Sequence, residues 1–426
     1  MAITAFCGVA VFILSGIKEN RSKVMEGTID DVCTTVEELN SINSLIHPNL
    51  NKLRKSEFFR IFKVNLEQEC PFWEAEGTCI TNKCVVDECE AGEVPNEFKM
   101  CNQTFDVERN LQISEMSMIN SFIPNTQIDE WMKIEEKDDK AVFVNLVKNG
   151  HAWTFFNGSH IWDAIYNENC MSLLELDQCT ENQVLYKLIS GVHANVNLHI
   201  THNDFDLNGD PLPPNHERYL ERVGLHEGRL ENLFFTYSLA LKAINNLSGK
   251  IDEFSYLSDN PQVDNEVKET LNDLIENSIK ICENPFREEN MFTQWTKEQF
   301  TNTIKPVFYN ITRILDCVTC EKCKLYGKLQ FTGLTAVMKI MFGQEKESKL
   351  TRNEMVGLIN LMAKLSDSIE WYFQWLQYEQ SYEYPVWYAL KNHWMMLLLI
   401  VPIVIYEISC FFKTKPKLKT SVKKSQ

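Results

Sequence analysis

The chain has 426 residues, of which 44% are hydrophobic and 24% charged, and a formal net charge of −17 at pH 7. This length and composition support one large hydrophobic core or two modest ones, and exclude a mainly disordered, collagen-like or low-complexity chain. The acidic balance argues against a nucleic acid as partner, because proteins that bind nucleic acids carry basic surfaces. Fourteen cysteines favour an oxidising compartment.

The chain begins with a short apolar segment. Residues 1–16 are uncharged and mainly apolar, and Lys18, Glu19 and Arg21 follow almost at once. This pattern predicts a secretory signal peptide over residues 1–17. Because the segment lacks the usual positive start, an uncleaved anchor and a buried first helix are the alternatives.

Helical periodicity is the main signal in the rest of the chain. Apolar residues recur every three or four positions in 28–69, 130–280, 298–315, 334–342 and 355–376. Residues 70–105 differ, because they contain proline, glycine and five cysteines: Cys70, Cys79, Cys84, Cys89 and Cys101. We therefore expect a mainly α-helical domain over 28–378 with a disulfide-rich, irregular loop at 70–105. The sequence has neither a Gly-x-Gly-x-x-Gly turn nor a phosphate loop, so a nucleotide cofactor would have to bind between helices.

The most specific local pattern is a run of three cysteines at intervals of three, Cys317, Cys320 and Cys323. Two cysteines at this spacing at a helix start can form a disulfide, and the helix N-terminus and nearby lysines would stabilise a thiolate. The spacing therefore favours reversible disulfide chemistry. A structural zinc site is the alternative, although zinc usually takes two separate pairs of ligands and this chain has no second, separate pair.

A second cysteine pair, Cys79 and Cys84, lies in the predicted loop among acidic residues. A disulfide that closes so small a loop gives little stability in the chain-entropy model. The pair is therefore a candidate for a reactive, exchangeable disulfide. A purely structural bridge is the alternative.

The C-terminal region predicts a membrane anchor. Residues 394–412 are apolar apart from Glu407 and are long enough to cross a bilayer. A basic tail, 413–426, follows, so the positive-inside rule places the tail in the cytosol and the domain in the lumen, a single-pass type I topology. Lys423 and Lys424 stand just before the last two residues of the tail, as the lysine pair does in dilysine signals for the endoplasmic reticulum. Pro402 and Glu407 leave an amphipathic or core helix as the alternative. Sequons before the span predict a glycoprotein.

Five stretches resemble, in order, the motifs of one enzyme family. They are CPFW at 70–73, IYNENC at 165–170, YKLISGVH at 186–193, RLENL at 229–233 and DCVTCEKCKLYGKLQ at 316–330. Through them the chain resembles the endoplasmic oxidoreductins, the Ero-type FAD-dependent thiol oxidases. The resemblance implies a single helical domain that cradles FAD, reoxidises protein disulfide isomerase in the lumen and passes electrons to molecular oxygen to give hydrogen peroxide.

The resemblance also implies an electron relay between two cysteine pairs. An outer or shuttle disulfide, Cys79 with Cys84, would accept electrons from protein disulfide isomerase. An inner disulfide, Cys320 with Cys323, would take them from the shuttle pair and lie against FAD. The shuttle pair can meet a folded substrate protein that a buried flavin cannot.

The remaining cysteines would hold the fold or regulate it, if the resemblance extends to them. It implies two structural bridges, Cys70 with Cys317 and Cys170 with Cys179. It implies regulatory pairing at Cys89 and Cys101. It leaves Cys33 and Cys282 without an assigned partner.

The FAD contacts that the resemblance implies fall on six residues: Thr154, Trp162, Ser190, His193, Arg229 and Lys242. Trp162 can stack on a flat ring, and Arg229 can pair with a phosphate. Two positions depart from the family pattern. Ala152 stands where relatives have an arginine, and Lys242 replaces a second arginine, which loses the bidentate fork. No metal site is expected.

Two other functions are consistent with parts of this pattern. One is a type I membrane glycoprotein whose disulfides are purely structural, and the other is an oxidoreductin relative that has lost its flavin. Because both cysteine pairs of the relay are present, the active oxidase is the favoured hypothesis.

Overall fold

A computed structural model describes residues 36–73, 84–99, 104–106, 131–132, 135–150, 158–169, 171, 180–202, 212–226, 228–248, 258, 260–279, 297–343, 349–380 and 406. The chain divides into two units. The larger unit, Gly27–Tyr372, holds almost all of the described residues. The smaller unit comprises Met1–Glu26 and Phe373–Gln426, of which residues 373–380 and Tyr406 are described.

The described chain is mainly α-helical, which confirms the helical part of the predicted fold class. The long helices are α1 (Val36–Leu53), α5 (Thr180–His202), α7 (Arg229–Asn245), α8 (Pro261–Ile279), α9 (Lys297–Leu315), α10 (Glu321–Phe342) and α11 (Arg352–Gln380). The shorter ones are α2 (Glu57–Arg60), α3 (Asn96–Lys99), α4 (Ser159–Asn167) and α6 (His216–Tyr219), with a 3-10 turn at Glu135–Lys137 and a π-helical turn at Leu220–Gly224.

Two small antiparallel sheets accompany the helices. Strand β1 (Ile61–Val64) pairs with β3 (Val142–Asn145), so that Ile61 lies opposite Asn145. Strand β2 (Thr104–Asp106) pairs with β4 (Lys349–Thr351). The expectation that 28–69 would form helices throughout is therefore wrong at β1. Four residues are too few for periodicity to distinguish a strand from a helix, and here pairing with a distant strand decides the outcome.

Helix α7 lies at the centre of the larger unit. It packs along α5 and also contacts α8 and α10, and nearly all its side chains from Leu230 to Ile244 are buried. Around it, α8 packs on α1 and α9 on α10. A Cβ at Gly191 of α5 would overlap the hydroxyl of Thr236 on α7, so glycine is needed where these two helices meet. The resulting core fixes α5, α7 and α10, the three helices that surround the site described below.

Helices α10 and α11 touch backbone to backbone at a pair of glycines. A Cβ at Gly333 would overlap the carbonyl oxygen of Gly357 and would lie 2.6 Å from Cβ of Leu361. In the other direction, a Cβ at Gly357 would lie 2.8 Å from the nitrogen of Gly333. Two of these three contacts are with main-chain atoms and the third is with a Cβ, so a change of rotamer cannot make room for a side chain. This crossing fixes the position of α10 in the core.

The predicted segments at the chain ends fall largely outside the described part. The signal peptide, 1–17, lies there entirely, and so does the span 394–412 apart from Tyr406. Within the described residues, no helix is both long enough and apolar enough to cross a membrane. The membrane anchor therefore stays a prediction.

The glycine crossing gives a direct test of the packing. We expect Gly333→Ala to lower the free energy of unfolding by about 3 kcal/mol or to prevent folding, because rigid backbone lies in the way. The matched control is Gly150→Ala, where an added Cβ meets nothing within 4 Å. Thermal unfolding of both variants would check this, and equal stability of the two would contradict the crossing.

Candidate functional site: a cysteine pair beside a cavity

The three-cysteine run lies between α9 and α10. Cys317 follows the end of α9 and is joined to Cys70 by a disulfide, with 4.3 Å between the two Cα atoms. Cys320 and Cys323 are both buried and are present as thiols. Since the sulfur of Cys317 is used in a disulfide, it is not available as a thiolate ligand, which weakens the zinc alternative.

Cys320 occupies the N-cap position of α10. Its backbone is extended, with φ −74° and ψ 110°, and its Sγ accepts a hydrogen bond from the N–H of Cys323 at 3.3 Å. The hydrogen bonds from Cys323 and the open N–H groups of the helix start lower the pKa of Cys320. The same contact with Cys320, together with burial, raises the pKa of Cys323. Of the two sulfurs, Cys320 is therefore the one that ionises more readily when the pair is reduced.

The loop cysteines are only partly described. Cys84 is disulfide-bonded and 4% exposed. Cys89 is a half-buried thiol, and burial together with the neighbouring Glu93 raises its pKa to about 11. A thiol with so high a pKa is mostly protonated and exchanges slowly. Six further cysteines that the sequence analysis named lie outside the described residues: Cys79, Cys101, Cys170, Cys179, and the two without an assigned partner, Cys33 and Cys282.

A cavity of about 590 Å³ lies next to this cysteine pair. Helices α4, α5, α7 and α10 and the π-helical turn contribute to its wall. Six lining residues carry its chemistry: Trp162, His193, Arg222, His226, Arg229 and Cys323. Cys323 is among the lining residues, whereas Cys320 is not. The two cysteines of the pair thus face different surroundings.

The aromatic part of the wall consists of two stacked rings. The rings of Trp162 and His193 lie parallel, with 4.0 Å between their centroids and 13° between their planes. The hydroxyl of Tyr166 lies 3.2 Å from Nδ1 of His193. Burial, and then the charge of Arg229, lower the pKa of His193 to about 3, so this imidazole is neutral at physiological pH.

Another part of the wall is cationic. Arg229 begins α7 directly after Gly228, whose φ of +76° turns the chain, and its guanidinium donates to the carbonyl of Arg222. The side chain of Arg222 reaches Asn197 through a 3.4 Å hydrogen bond. Desolvation lowers the pKa of both arginines, which nevertheless remain charged. Two guanidinium groups beside an open cavity suit an anionic ligand.

Arg222 and His226 were not among the sequence candidates. They lie seven and three residues before Arg229, so a search for cations at helical spacing around Arg229 would have found them. The π-helical turn at Leu220–Gly224 determines where Arg222 points, and a single sequence does not reveal such a turn.

The other implied cofactor residues are placed differently. Ser190 is 3% exposed, accepts a hydrogen bond from Asn232 at 2.9 Å and does not line the cavity. Lys242 lies near the other end of α7 and is also absent from the cavity wall. Thr154 and Ala152 lie outside the described residues. Of the six implied contacts, the structure brings Trp162, His193 and Arg229 together.

These residues fit a flavin nucleotide. The cavity volume falls in the range of about 300–1,000 Å³ that is usual for ligand sites. Aromatic rings at one part and guanidinium groups at another match a flat ring system joined to a diphosphate. Within the part of the chain that the structure describes, no group of three or more histidine, cysteine, aspartate or glutamate side chains is placed to hold a metal ion.

A buried cysteine pair that opens onto such a cavity, within a helical fold, is typical of an oxidoreductase that acts on thiols. The family model "Endoplasmic Reticulum Oxidoreductin 1 (ERO1)" matches residues 45–372, and the chain belongs to that family. Its members are named for the endoplasmic reticulum.

Curated relatives and solved structures agree with this assignment. The chain is 31% identical to endoplasmic reticulum oxidoreductin-1 of Arabidopsis thaliana, over 81% of this chain and 79% of that one. It is 30% identical to ERO1-like protein alpha of Rattus norvegicus, over 81% of this chain and 89% of that one. The structure of Ero1p described as a source of disulfide bonds for oxidative protein folding shares the fold, with a TM-score of 0.57 and 24% identity over 80% of this chain and 98% of that one.

The neutral state of His193 makes stability depend on pH. The folded pKa lies below the unfolded value of about 6.5, so the unfolded chain takes up a proton that the folded one does not, and stability is lost as the pH falls below 6.5. We expect His193 to account for about 1.4 kcal/mol of lost unfolding free energy between pH 7.5 and 5.5. Urea unfolding of wild type and His193→Phe at both values would measure this difference. An unchanged pH dependence in the variant would show that His193 is not held neutral.

Proposed function

We propose that the chain is a lumenal thiol oxidase that reoxidises protein disulfide isomerase, uses FAD and passes the electrons to molecular oxygen, which yields hydrogen peroxide. The observation that carries this proposal is the position of Cys323. Its thiol lines a cavity that suits a flavin, and its partner Cys320 lies one helical turn away outside that lining. Such a pair connects a protein-facing side to a cofactor-facing side.

The first step occurs at the shuttle pair, Cys79 and Cys84. A thiolate of reduced protein disulfide isomerase attacks this disulfide, and its second thiol resolves the mixed disulfide. The isomerase leaves with a disulfide, and the shuttle pair is left with two thiols. Two electrons and two protons have then entered the chain.

The second step passes these electrons to the inner pair. A shuttle thiolate attacks Sγ of Cys320, the bond between Cys320 and Cys323 breaks, and Cys323 leaves as a thiolate. The second shuttle thiol then attacks the mixed disulfide, which restores the shuttle disulfide and leaves Cys320 as a thiolate stabilised at the start of α10. We assign the attack to Cys320 because Cys323 is turned toward the cavity.

The residues that would hold FAD are those of the cavity wall. Trp162 and His193 would stack with the flat ring, while Arg222 and Arg229 would pair with the phosphates. When bound, FAD supplies a two-electron acceptor that molecular oxygen can reoxidise. His193 adds no charge, because its pKa is about 3. Thr154, Ser190 and Lys242 remain proposed contacts on the strength of the family resemblance alone.

The surroundings of the enzyme are part of the proposal. The relatives named above are endoplasmic reticulum proteins, which agrees with a disulfide-rich lumenal domain. We propose a signal peptide at 1–17, a membrane span at 394–412 and a cytosolic tail at 413–426. This would confine the oxidase to the inner face of the endoplasmic reticulum membrane.

The assignment of Cys320 gives a trapping experiment. In Cys323→Ser, Cys320 has lost its disulfide partner, so its thiolate can attack the oxidised shuttle disulfide, and one shuttle sulfur bonds to Cys320 while the other leaves as a thiolate. We therefore expect a disulfide between Cys320 and a shuttle cysteine. In Cys320→Ser that species should be missing, and oxygen consumption with reduced protein disulfide isomerase should fall at least about 100-fold in both variants. Non-reducing gels and peptide mass spectrometry would identify the bond. Trapping in the Cys320→Ser variant instead would reverse the assignment.

The cofactor proposal has its own test, an absorption spectrum of the purified chain. In the wild type, we expect flavin absorption that corresponds to about one FAD per chain. In Arg229→Gln, we expect the affinity for flavin to fall at least about tenfold, because a charged partner of the phosphates is removed. A folded but colourless wild-type protein would refute the flavin proposal.

A further inference from the structure

Two chain segments flank the shuttle loop, and both are attached to the first turns of α10. We call residues 65–70 the incoming stem and residues 84–90 the outgoing stem. The incoming stem carries Cys70, which is bonded to Cys317. Lys328 donates to the carbonyl of Asn65 at 2.9 Å, and Lys324 donates to that of Leu66 at 3.0 Å. This stem is held covalently and by buried cations.

The outgoing stem begins at the disulfide-bonded Cys84 and is joined to the rest of the fold by hydrogen bonds. The N–H of Val86 donates to the carboxylate of Glu321 at 2.9 Å. One residue further, Asp87 exchanges two hydrogen bonds with the buried side chain of Asn149, at 2.7 and 2.8 Å. The carbonyl of Asn149 accepts in turn from the hydroxyl of Tyr326 on α10 at 3.1 Å. Direct and relayed contacts thus join this stem to α10.

Glu321 occupies a special place among these contacts. It lies in the same helical turn as Cys320 and Cys323, directly after the first of them. Val86 lies two residues after Cys84, which places their Cα atoms within about 7 Å of each other. The hydrogen bond between Glu321 and Val86 therefore connects the turn of the inner pair to the neighbourhood of a shuttle cysteine. It spans 235 residues of sequence.

We propose that Glu321 is a positioning residue, whose carboxylate docks the outgoing stem onto the turn that carries Cys320 and Cys323 and thereby speeds disulfide exchange between the shuttle pair and the inner pair. The inference rests on the electron relay proposed above. Docking raises the effective concentration of the shuttle pair near the inner pair, as a short tether between them would. A carboxylate that accepts from a main-chain N–H gives a strong bond whatever side chain stands at position 86.

A competing role for Glu321 is simple helix stabilisation. An acid in the first turn interacts favourably with the helix macrodipole, and that effect depends on its charge. Docking depends instead on an oxygen acceptor at the right distance. Glutamine keeps the acceptor and loses the charge, while alanine loses both, so the two substitutions separate the roles.

The test compares wild type, Glu321→Ala and Glu321→Gln in the full chain with flavin bound. After anaerobic mixing with saturating reduced protein disulfide isomerase, we expect the rate of flavin bleaching to fall about tenfold in Glu321→Ala, as loss of one hydrogen bond implies. Glu321→Gln should stay within about twofold of wild type. Flavin content should be equal in all three proteins.

A second measurement covers the case in which another step limits the bleaching rate. In a Cys79→Ser/Cys323→Ser background, a buffer of reduced and oxidised glutathione competes with the disulfide between Cys84 and Cys320, and the value of [GSH]²/[GSSG] at which half of that disulfide remains gives the effective concentration. We expect Glu321→Ala to lower this concentration about tenfold. If both the bleaching rate and the effective concentration are unchanged, docking by Glu321 is refuted.

Two controls separate docking from other effects. Glu354→Ala removes a comparable first-turn glutamate of α11, which accepts from the N–H of Thr351 at 2.8 Å, and should leave both measurements unchanged. In a Cys84→Ser background, dithiothreitol should reduce the inner pair at the same rate whether position 321 holds glutamate or alanine.

A slower direct reaction with alanine at position 321, or a Glu321→Gln variant that behaves like Glu321→Ala, would overturn positioning in favour of a charge effect. Wild-type protein that fails to oxidise the isomerase would refute the relay itself.

Discussion

The disulfide between Cys70 and Cys317 is the constraint on which the site depends. It joins residues 247 positions apart, and closing a loop of that size removes about 5 kcal/mol of chain entropy from the unfolded state in the chain-entropy model. It also brings the incoming stem to the junction of α9 and α10, three residues before Cys320. Without this bond, the hydrogen bonds from α10 to the stem would have to bring together two distant parts of the chain by themselves.

Buried charge reinforces that covalent contact. Lys328 is 2% exposed and lies 2.7 Å from the carboxylate of Asp316, the residue before Cys317. Removing two such charges from water is costly, and the attraction between them offsets the penalty only when further hydrogen bonds are made. The carbonyl of Asn65 supplies one such bond. The ion pair and the stem therefore depend on each other. If the chain folds without the stem in place, the buried Lys328 lacks the hydrogen bond to the carbonyl of Asn65.

The sequence predicted the helices well and the site only in part. Helical spacing from 298 to 315 anticipated α9 almost to the residue, because a long amphipathic pattern needs no knowledge of its partner. It could not anticipate β1, whose four residues become a strand only because Val142–Asn145 lies beside them. Trp162, His193 and Arg229 were carried over from motifs and do meet at the cavity. Arg222 was missed, because a π-helical turn directs it, and the bond between Glu321 and Val86 was invisible because it depends on the folded chain.

The division of one Cys-x-x-Cys pair between two environments explains why a helix start suits this chemistry. At the N-cap, the backbone is extended, so Cys320 points back over the helix end, while Cys323 already lies within the first turn and faces the cavity. The same turn that stabilises a thiolate on Cys320 withholds that stabilisation from Cys323, whose pKa is raised. In a reduced pair, Cys320 is therefore the sulfur that ionises more readily, and Cys323, which faces the cavity, holds its proton more strongly. Since Glu321 lies between the two, the docking of the outgoing stem and the polarity of the pair are set by a single turn of α10.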